Sequence, residues 1–218
     1  YETFLAAAGL SYRRLSATEM EQELGTRFYQ AGLYSPDCYL AQPAAVIRAL
    51  AKGLPSAVSL YEHSPVVKLE LQLGKWRVFT PNGVITTDKV VLANNAFAAK
   101  LGFASGQLAS VYTYAGLTPR LPESVLDILG TNQDWGLLPT HRLGSTLRRT
   151  SDGRLLIRSL HDYERERPAS SIRSELKSRL HSRFQQLKGV DFEHLWAGAV
   201  GFTLNGGLVW GELEPGLF

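Results

Sequence analysis

Between Val66 and Thr87 three short runs alternate apolar with other residues, Val66-Val-Lys-Leu-Glu-Leu, Trp76-Arg-Val-Phe and Val84-Ile-Thr-Thr, separated by Leu73-Gly74-Lys75 and Pro81-Asn82-Gly83. A period near two puts successive side chains on opposite faces of a strand, and connections this short leave room only for antiparallel neighbours. Asn82-Gly83 tolerates the positive φ angles of a tight hairpin. The segment therefore predicts an antiparallel meander. Val58-Ser-Leu-Tyr-Glu62 just upstream reads as another strand, and Lys89-Val-Val-Leu-Ala93, apolar after its first residue, as a strand buried on both faces of a layered sheet.

Helical signals flank this β region. Ser16-Ala-Thr-Glu19 is a capping box and Gly25 a left-handed stop, which predicts a helix over about 17–24. Pro43 at a first helical position and Gly53 at the end predict a second, with Val46, Ile47, Leu50 and Leu54 as its buried stripe. Further strands follow at Ser110–Ala115 and near 136–138, 144–150 and 154–160, the last two joined at Ser151-Asp152-Gly153. Ile172, Leu176, Leu180, Phe184 and Leu187 recur at helical spacing, so about 169–188 forms an amphipathic helix closed by Gly189. The fold class is α+β, with mixed or antiparallel sheets and a few helices.

A chain of 218 residues with 44% hydrophobic content is long enough to bury a sizeable core. Its formal net charge of +3 is small, yet Arg and Lys crowd Arg142–Arg183, which suits acidic ligands or a solvated helix face. These charges spread over strand, loop and helix without interleaved aromatics, so nucleic-acid binding is not expected. The single cysteine, Cys38, excludes an internal disulfide, fits a reducing, cytoplasmic setting and sits in no context that would activate its thiol. No apolar run reaches the ~20 residues of a membrane span. The five histidines, His63, His141, His161, His181 and His194, lack any recognised ligand spacing, so no metal site is expected.

Four segments, taken in order, resemble the D-amino-acid oxidase-like FAD-dependent oxidoreductases, the family of glycine oxidase and gamma-glutamylputrescine oxidase. Pro43 and the helix after it resemble a P-x-x-L-x-x-x-L segment, Asp88-Lys-Val-Val-Leu-Ala-Asn-Asn-Ala-Phe the family's A-D-x-V-V-L-A-x-[GN]-A-[WY] strand, and Thr150-Ser-Asp-Gly-Arg-Leu-Leu-Ile-Arg158 its T-x-D-x-R-L-L-x-G hairpin. Trp196, Gly198, Thr203, Asn205 and Gly211 match the W-x-G-x-x-x-x-T-x-[DN]-x-x-P-x-x-G signature, with Leu208 where proline is usual. The glycine-rich G-x-G-x-x-G turn that carries the dinucleotide pyrophosphate at a helix N-terminus is absent, as is the flavin segment that follows the signature. The resemblance thus implies the middle portion of such an enzyme, one that oxidises an amine or amino acid by hydride transfer to FAD in the full-length protein. Whether the fragment alone holds FAD stays open, and a non-catalytic binding domain derived from the family is the alternative.

The same resemblance implies a division of the chain. Residues 1–42 and 109–196 would belong to the substrate domain, 43–108 and 197–218 to part of the FAD-binding domain. On the cofactor side it points to Val66 and Val67 at the adenine end, Ala93, Asn94, Asn95 and Ala96 against the pyrophosphate and ribitol, and Gly211. On the substrate side it points to Tyr34, Trp196 and Arg158. Read from the residues alone, Val66 and Val67 are equally ordinary strand core, Asn94 and Asn95 a turn, Trp196 a packing residue and Arg158 a surface ion-pair partner. Amino-acid oxidases of the family clamp the substrate carboxylate with an arginine two residues after the signature glycine, and this chain has Val200 there. An amine, or a substrate held from another direction, follows from that departure.

Overall fold

The computed structural model describes all residues from Tyr1 to Phe218. In chain order the elements are α1 (Glu2–Ala7), β1 (Arg13–Ser16), α2 (Ala17–Leu24), β2 (Ala31–Tyr34), α3 (Pro43–Lys52), β3 (Lys68–Gln72), β4 (Lys75–Thr80), β5 (Gly83–Thr87), a 3-10 helix (Asn95–Leu101), β6 (Leu108–Leu117), α4 (Glu123–Leu126), β7 (Trp135–Leu137), β8 (Thr146–Arg149), β9 (Leu155–Tyr163), α5 (Ala169–Arg183), a second 3-10 helix (Gln185–Leu187) and β10 (His194–Thr203). They fall into two units, the first comprising Tyr1–Ala41, Thr113–Asp162 and Glu166–Gly198, the second Gln42–Tyr112, Tyr163–Arg165 and Ala199–Phe218. The fold is α+β with antiparallel sheets and few helices.

Strands β7, β8 and β9 of the first unit belong to a five-stranded sheet in the order β10-β6-β9-β8-β7, whose β6 and β10 are each shared between the two units. Strands β7, β8 and β9 pair antiparallel, with Trp135 opposite Arg149, Leu147 opposite Ile157 and Thr146 opposite Arg158. Because alternate residues share a face, Trp135, Leu147, Arg149, Leu155 and Ile157 line one side, and all are buried. Helix α5 belongs to that side: Ile172, Leu176 and Leu180 are buried, and the Phe184 ring at its end stacks on Trp135 at 6.2 Å between centroids. Arg149 donates from Nη1 to the Leu129 and Gly130 carbonyls, and burial lowers its pKa. The opposite face, with Thr146, Arg148, Leu156 and Arg158, is half-buried.

Helix α2 starts as the sequence predicts. Ser16 Oγ accepts the Glu19 N–H at 3.3 Å while Glu19 Oε2 accepts the Ser16 N–H at 2.8 Å. Gly25 stops it at φ 70°, and a Cβ there would lie 2.0 Å from the Ile128 carbonyl oxygen. Strands β1 and β2, which the sequence did not mark, pair antiparallel around this helix start.

In the second unit β3, β4 and β5 form the predicted meander, with Leu69 opposite Val78 and Val78 opposite Ile85. Trp76 is its largest buried side chain; its Nε1–H donates to the Pro215 carbonyl at 2.9 Å and its ring meets Phe103 edge-on at 6.3 Å. Three expectations for this unit are corrected. Val58–Glu62 is not a strand but a loop with turns. Lys89–Ala93 forms no regular strand: one parallel bridge joins Val90 to Leu217, supported by Val90 N–H to the Gly216 carbonyl at 2.8 Å. Helix α3 forms at its predicted place, with Gln42 Oε1 accepting the Ala45 N–H at 3.0 Å, but it buries no side chain, and Ile47 and Leu50 are 65% and 63% exposed. In the first unit, α5 stops at Arg183 rather than near 188, because Phe184 leaves helical geometry (φ −124°, ψ 87°) to bury its ring.

Candidate functional site

In the second unit the extended segment Val90–Ala93 runs into the turn at Asn94 and the 3-10 helix. An open cleft of about 380 Å³ lies there, walled chiefly by Val66, Leu69, Val78, Leu92, Asn94 and Phe97, with Lys100 among its lining residues. Ala93 is exposed and Ala96 buried. Asn94 Oδ1 is buried without a hydrogen-bond partner, whereas Asn95, at φ 52°, accepts the Gly201 N–H on its Oδ1 at 2.9 Å. The two asparagines therefore do different work: Asn95 ties the turn to Gly201, and Asn94 leaves an amide oxygen unsatisfied beside the cleft. Burying such a group without a partner costs about 1–3 kcal/mol.

Val66 and Val67 precede β3, and the Val67 N–H donates to the Phe79 carbonyl at 2.9 Å. In this chain Val66 is 38% and Val67 60% exposed. Gly211 has φ 147° with nothing within 4 Å of a Cβ position. An apolar cleft with one unsatisfied amide oxygen and one ammonium among its lining residues suits a flat, mostly apolar ring system bearing polar edges; of the predicted cofactor residues Val66, Ala93 and Asn94 line it, and Val67, Asn95, Ala96 and Gly211 do not.

The substrate-side candidates lie in the first unit. Arg158 is centred on β9, the strand between β6 and β8. Its Nη2 donates to Thr146 Oγ1 at 2.9 Å and its Nη1 to Thr113 Oγ1 at 3.4 Å. Both partners are neutral hydroxyls, one from each flanking strand, so Arg158 is not the ion-pair residue that its composition alone suggests. His161 is pushed down mainly by burial and then by the charges of Arg158 and Arg179, which favours its neutral form. Trp196 stands 46% exposed on β10, so packing does not explain it. Tyr34, at the end of β2, is 44% exposed with the Arg13 guanidinium 5.6 Å from its ring centre. Val200, in the second unit, is 40% exposed.

Sequence reading missed Thr113, Thr146 and Arg148. The signal was present: a hairpin closed at Asp152-Gly153 places Thr146, Arg148, Leu156 and Arg158 on one face once its register is known. No group of three or more His, Cys, Asp or Glu side chains could hold a metal ion, and no helix is long and apolar enough to cross a membrane.

The chain thus combines a sheet backed by one long helix with a second unit that carries an apolar cleft at the Asn94 turn. The chain belongs to the FAD dependent oxidoreductase (DAO) family, whose model matches residues 1–218. It is 26% identical over 207 residues to the probable oxidoreductase OrdL of Haemophilus influenzae, covering 92% of this chain and 47% of that protein. A second probable oxidoreductase OrdL, from Rhizobium meliloti, is 25% identical over 214 residues, with 94% and 48% covered. The chain spans about half the length of these curated relatives. Among solved structures, glycine oxidase from Geobacillus kaustophilus shares the fold at a TM-score of 0.77 and 23% identity, over 99% of this chain and 58% of that one. L-proline dehydrogenase from P. horikoshii does so at 0.71 and 17%, over 99% and 59%.

Proposed function

We propose that the chain is the middle portion of a flavoenzyme that oxidises a small amine or amino acid. Residues 43–108 and 197–218 serve the FAD side in this reading, and 1–42 with 109–196 the substrate side. The observation that carries it is the cleft beside Asn94, whose unsatisfied oxygen, apolar walls and Lys100 suit the cofactor of the family to which the chain belongs. Val66, Val67, Ala93, Asn94, Asn95, Ala96 and Gly211 hold the dinucleotide. A bound flavin would supply the two-electron acceptor for a hydride leaving the carbon beside nitrogen, whose lone pair would close the C=N bond.

This chain's own residues position rather than donate protons. Tyr34 and Trp196 offer exposed aromatic surface to an aliphatic amine, and Arg158 offers charge to an acid group on the substrate. The protein is expected to act in the cytoplasm without nucleic acid. The test is the full-length protein: its FAD content after release by denaturation, and anaerobic bleaching of the flavin by a panel of amines and amino acids. A folded, colourless full-length protein overturns the reading and leaves a non-catalytic binding domain.

A further inference from the structure

The face of the five-stranded sheet opposite α5 carries a second arginine besides Arg158. Arg148 stands on β8 opposite Leu156, two residues along from the Thr146–Arg158 pair, so the two arginines are diagonal neighbours. Diagonal positions of this kind are separated by about 7–8 Å, which long side chains readily span. Each guanidinium offers five N–H donors in a fixed plane and stays charged. Arg158 spends donors on the Thr113 and Thr146 hydroxyls, Arg148 spends one on the Ala41 carbonyl at 2.6 Å, and Arg148 Nε is buried with no acceptor at all.

Three other arginines of this unit are compensated by carboxylates, while Arg149, on the opposite face of the sheet, is buried against the Leu129 and Gly130 carbonyls. Arg154 is paired with Asp152 and Glu193, Arg167 with Asp162 and Glu175, and Arg173 with Asp191. Arg148 and Arg158 have only neutral oxygen partners. Two uncompensated cations at diagonal positions on adjacent strands repel, and a half-buried sheet face screens them less than bulk water does. Neither is needed to close the sheet, whose ladder is backbone to backbone. Two bidentate carboxylate sites on adjacent strands would remove both the repulsion and the unsatisfied Arg148 Nε–H.

We infer that Arg148 and Arg158 together form a two-point anion site, so that the preferred substrate is an amine carrying two carboxylate groups joined by a short carbon chain. This rests on the oxidoreductase reading above. Thr113 and Thr146 are positioning residues, one on each neighbouring strand, that hold the Arg158 plane. Arg148 is held from its other edge by Ala41, which leaves its remaining donors for the second carboxylate. The site thus selects for substrate acidity from β8 and β9.

Calorimetric titration of the full-length, flavin-loaded protein with malonate, succinate and glutarate, against propionate and butyrate, tests this directly. At least one diacid should bind about tenfold or more tightly than the monoacids, because a hydrogen-bonded ion pair is added. Arg148→Met should bring that diacid to within about twofold of the monoacids and leave the monoacids unchanged, while Arg158→Met weakens both classes by about tenfold. Arg148→Lys, which keeps the charge and loses the fork, should fall between, and a thermal melt shows whether each variant folds. Equal binding of mono- and diacids by the wild-type protein overturns the inference. So does an Arg148→Lys protein that melts like wild type and binds diacids as tightly. Because these titrations need no turnover, failure of the oxidoreductase reading shows separately, as a flavin-free protein or one that no amine bleaches.

Discussion

Asn95 combines two demands in one residue: a left-handed backbone at φ 52° and a side-chain oxygen that accepts the Gly201 N–H at 2.9 Å. Alanine meets neither demand, whereas glycine meets the first. Asn95→Ala should therefore cost about 1–2 kcal/mol and Asn95→Gly less, measured by denaturant unfolding. Equal losses would show that the side-chain bond alone matters. The sequence marks Asn94-Asn95 as a turn, because asparagine tolerates that backbone, but not the partner 106 residues away; one sequence carries no register between distant segments. Asp191 gives a second residue-scale outcome. The Phe192 N–H that its carboxyl accepts, and after it the facing Arg173 and Lys177, hold its pKa down at about 2 against the ordinary 3.8. A depressed carboxylate contributes stability above the unfolded pKa and loses it as pH falls through the folded one. Between about pH 4 and pH 2 the wild-type melting temperature should drop more steeply than that of Asp191→Asn. Parallel curves would remove Asp191 from the acid response.

At the scale of elements, α2 and α3 show what periodicity can and cannot tell. Helix α2 is legible from end to end, since its cap, its reciprocal glutamate and its stop are local chemistry; Ser16→Ala should lower stability by about 1 kcal/mol in a thermal melt. Its glycine stop is also a contact point: a Cβ on Gly25 meets the Ile128 carbonyl oxygen at 2.0 Å, and one on Gly130 meets the Glu23 carbonyl oxygen at 2.1 Å. Nothing in the sequence shows that these two glycines let two backbone segments touch. Helix α3 is legible as a helix but not in its burial, because an apolar stripe predicts a partner surface without supplying one. With no buried side chain on α3, Ile47→Gln in residues 1–218 should change stability by no more than about 0.5 kcal/mol and reduce binding of a hydrophobic dye. A loss of several times that size would mean that the α3 stripe is covered in solution. The Lys89–Ala93 run was misread for the same reason: an apolar stretch identifies a buried strand only when neighbours are present to pair with it.

The whole molecule concentrates its core in the first unit. There the sheet and α5 enclose Leu147, Leu155, Ile157, Ile172, Leu176 and Phe184, each at 1% exposure or less. The second unit buries Trp76, Ala96, Ala98 and Leu217, and leaves Val67, Val91, Leu208 and Trp210 largely in water. Burial contributes about 25 cal/mol per Å² of apolar surface, so at comparable length the second unit gains much less against its chain entropy. Its cleft and its asparagine turn are thus carried by the less cohesive part of the chain, which fits a site that a large cofactor completes in the proposed enzyme. The consequence can be followed without changing the sequence, because the four tryptophans report separate places: Trp76 is buried in the second unit, Trp135 in the first, and Trp196 and Trp210 are 46% and 94% exposed. Fluorine-labelled tryptophan gives each its own resonance during heating. The Trp76 signal of residues 1–218 should reach its unfolded position at a lower temperature than the Trp135 signal, and two-state analysis of the whole chain should fail. A single shared transition would mean that the two units unfold together, with the weaker one drawing its stability from the stronger.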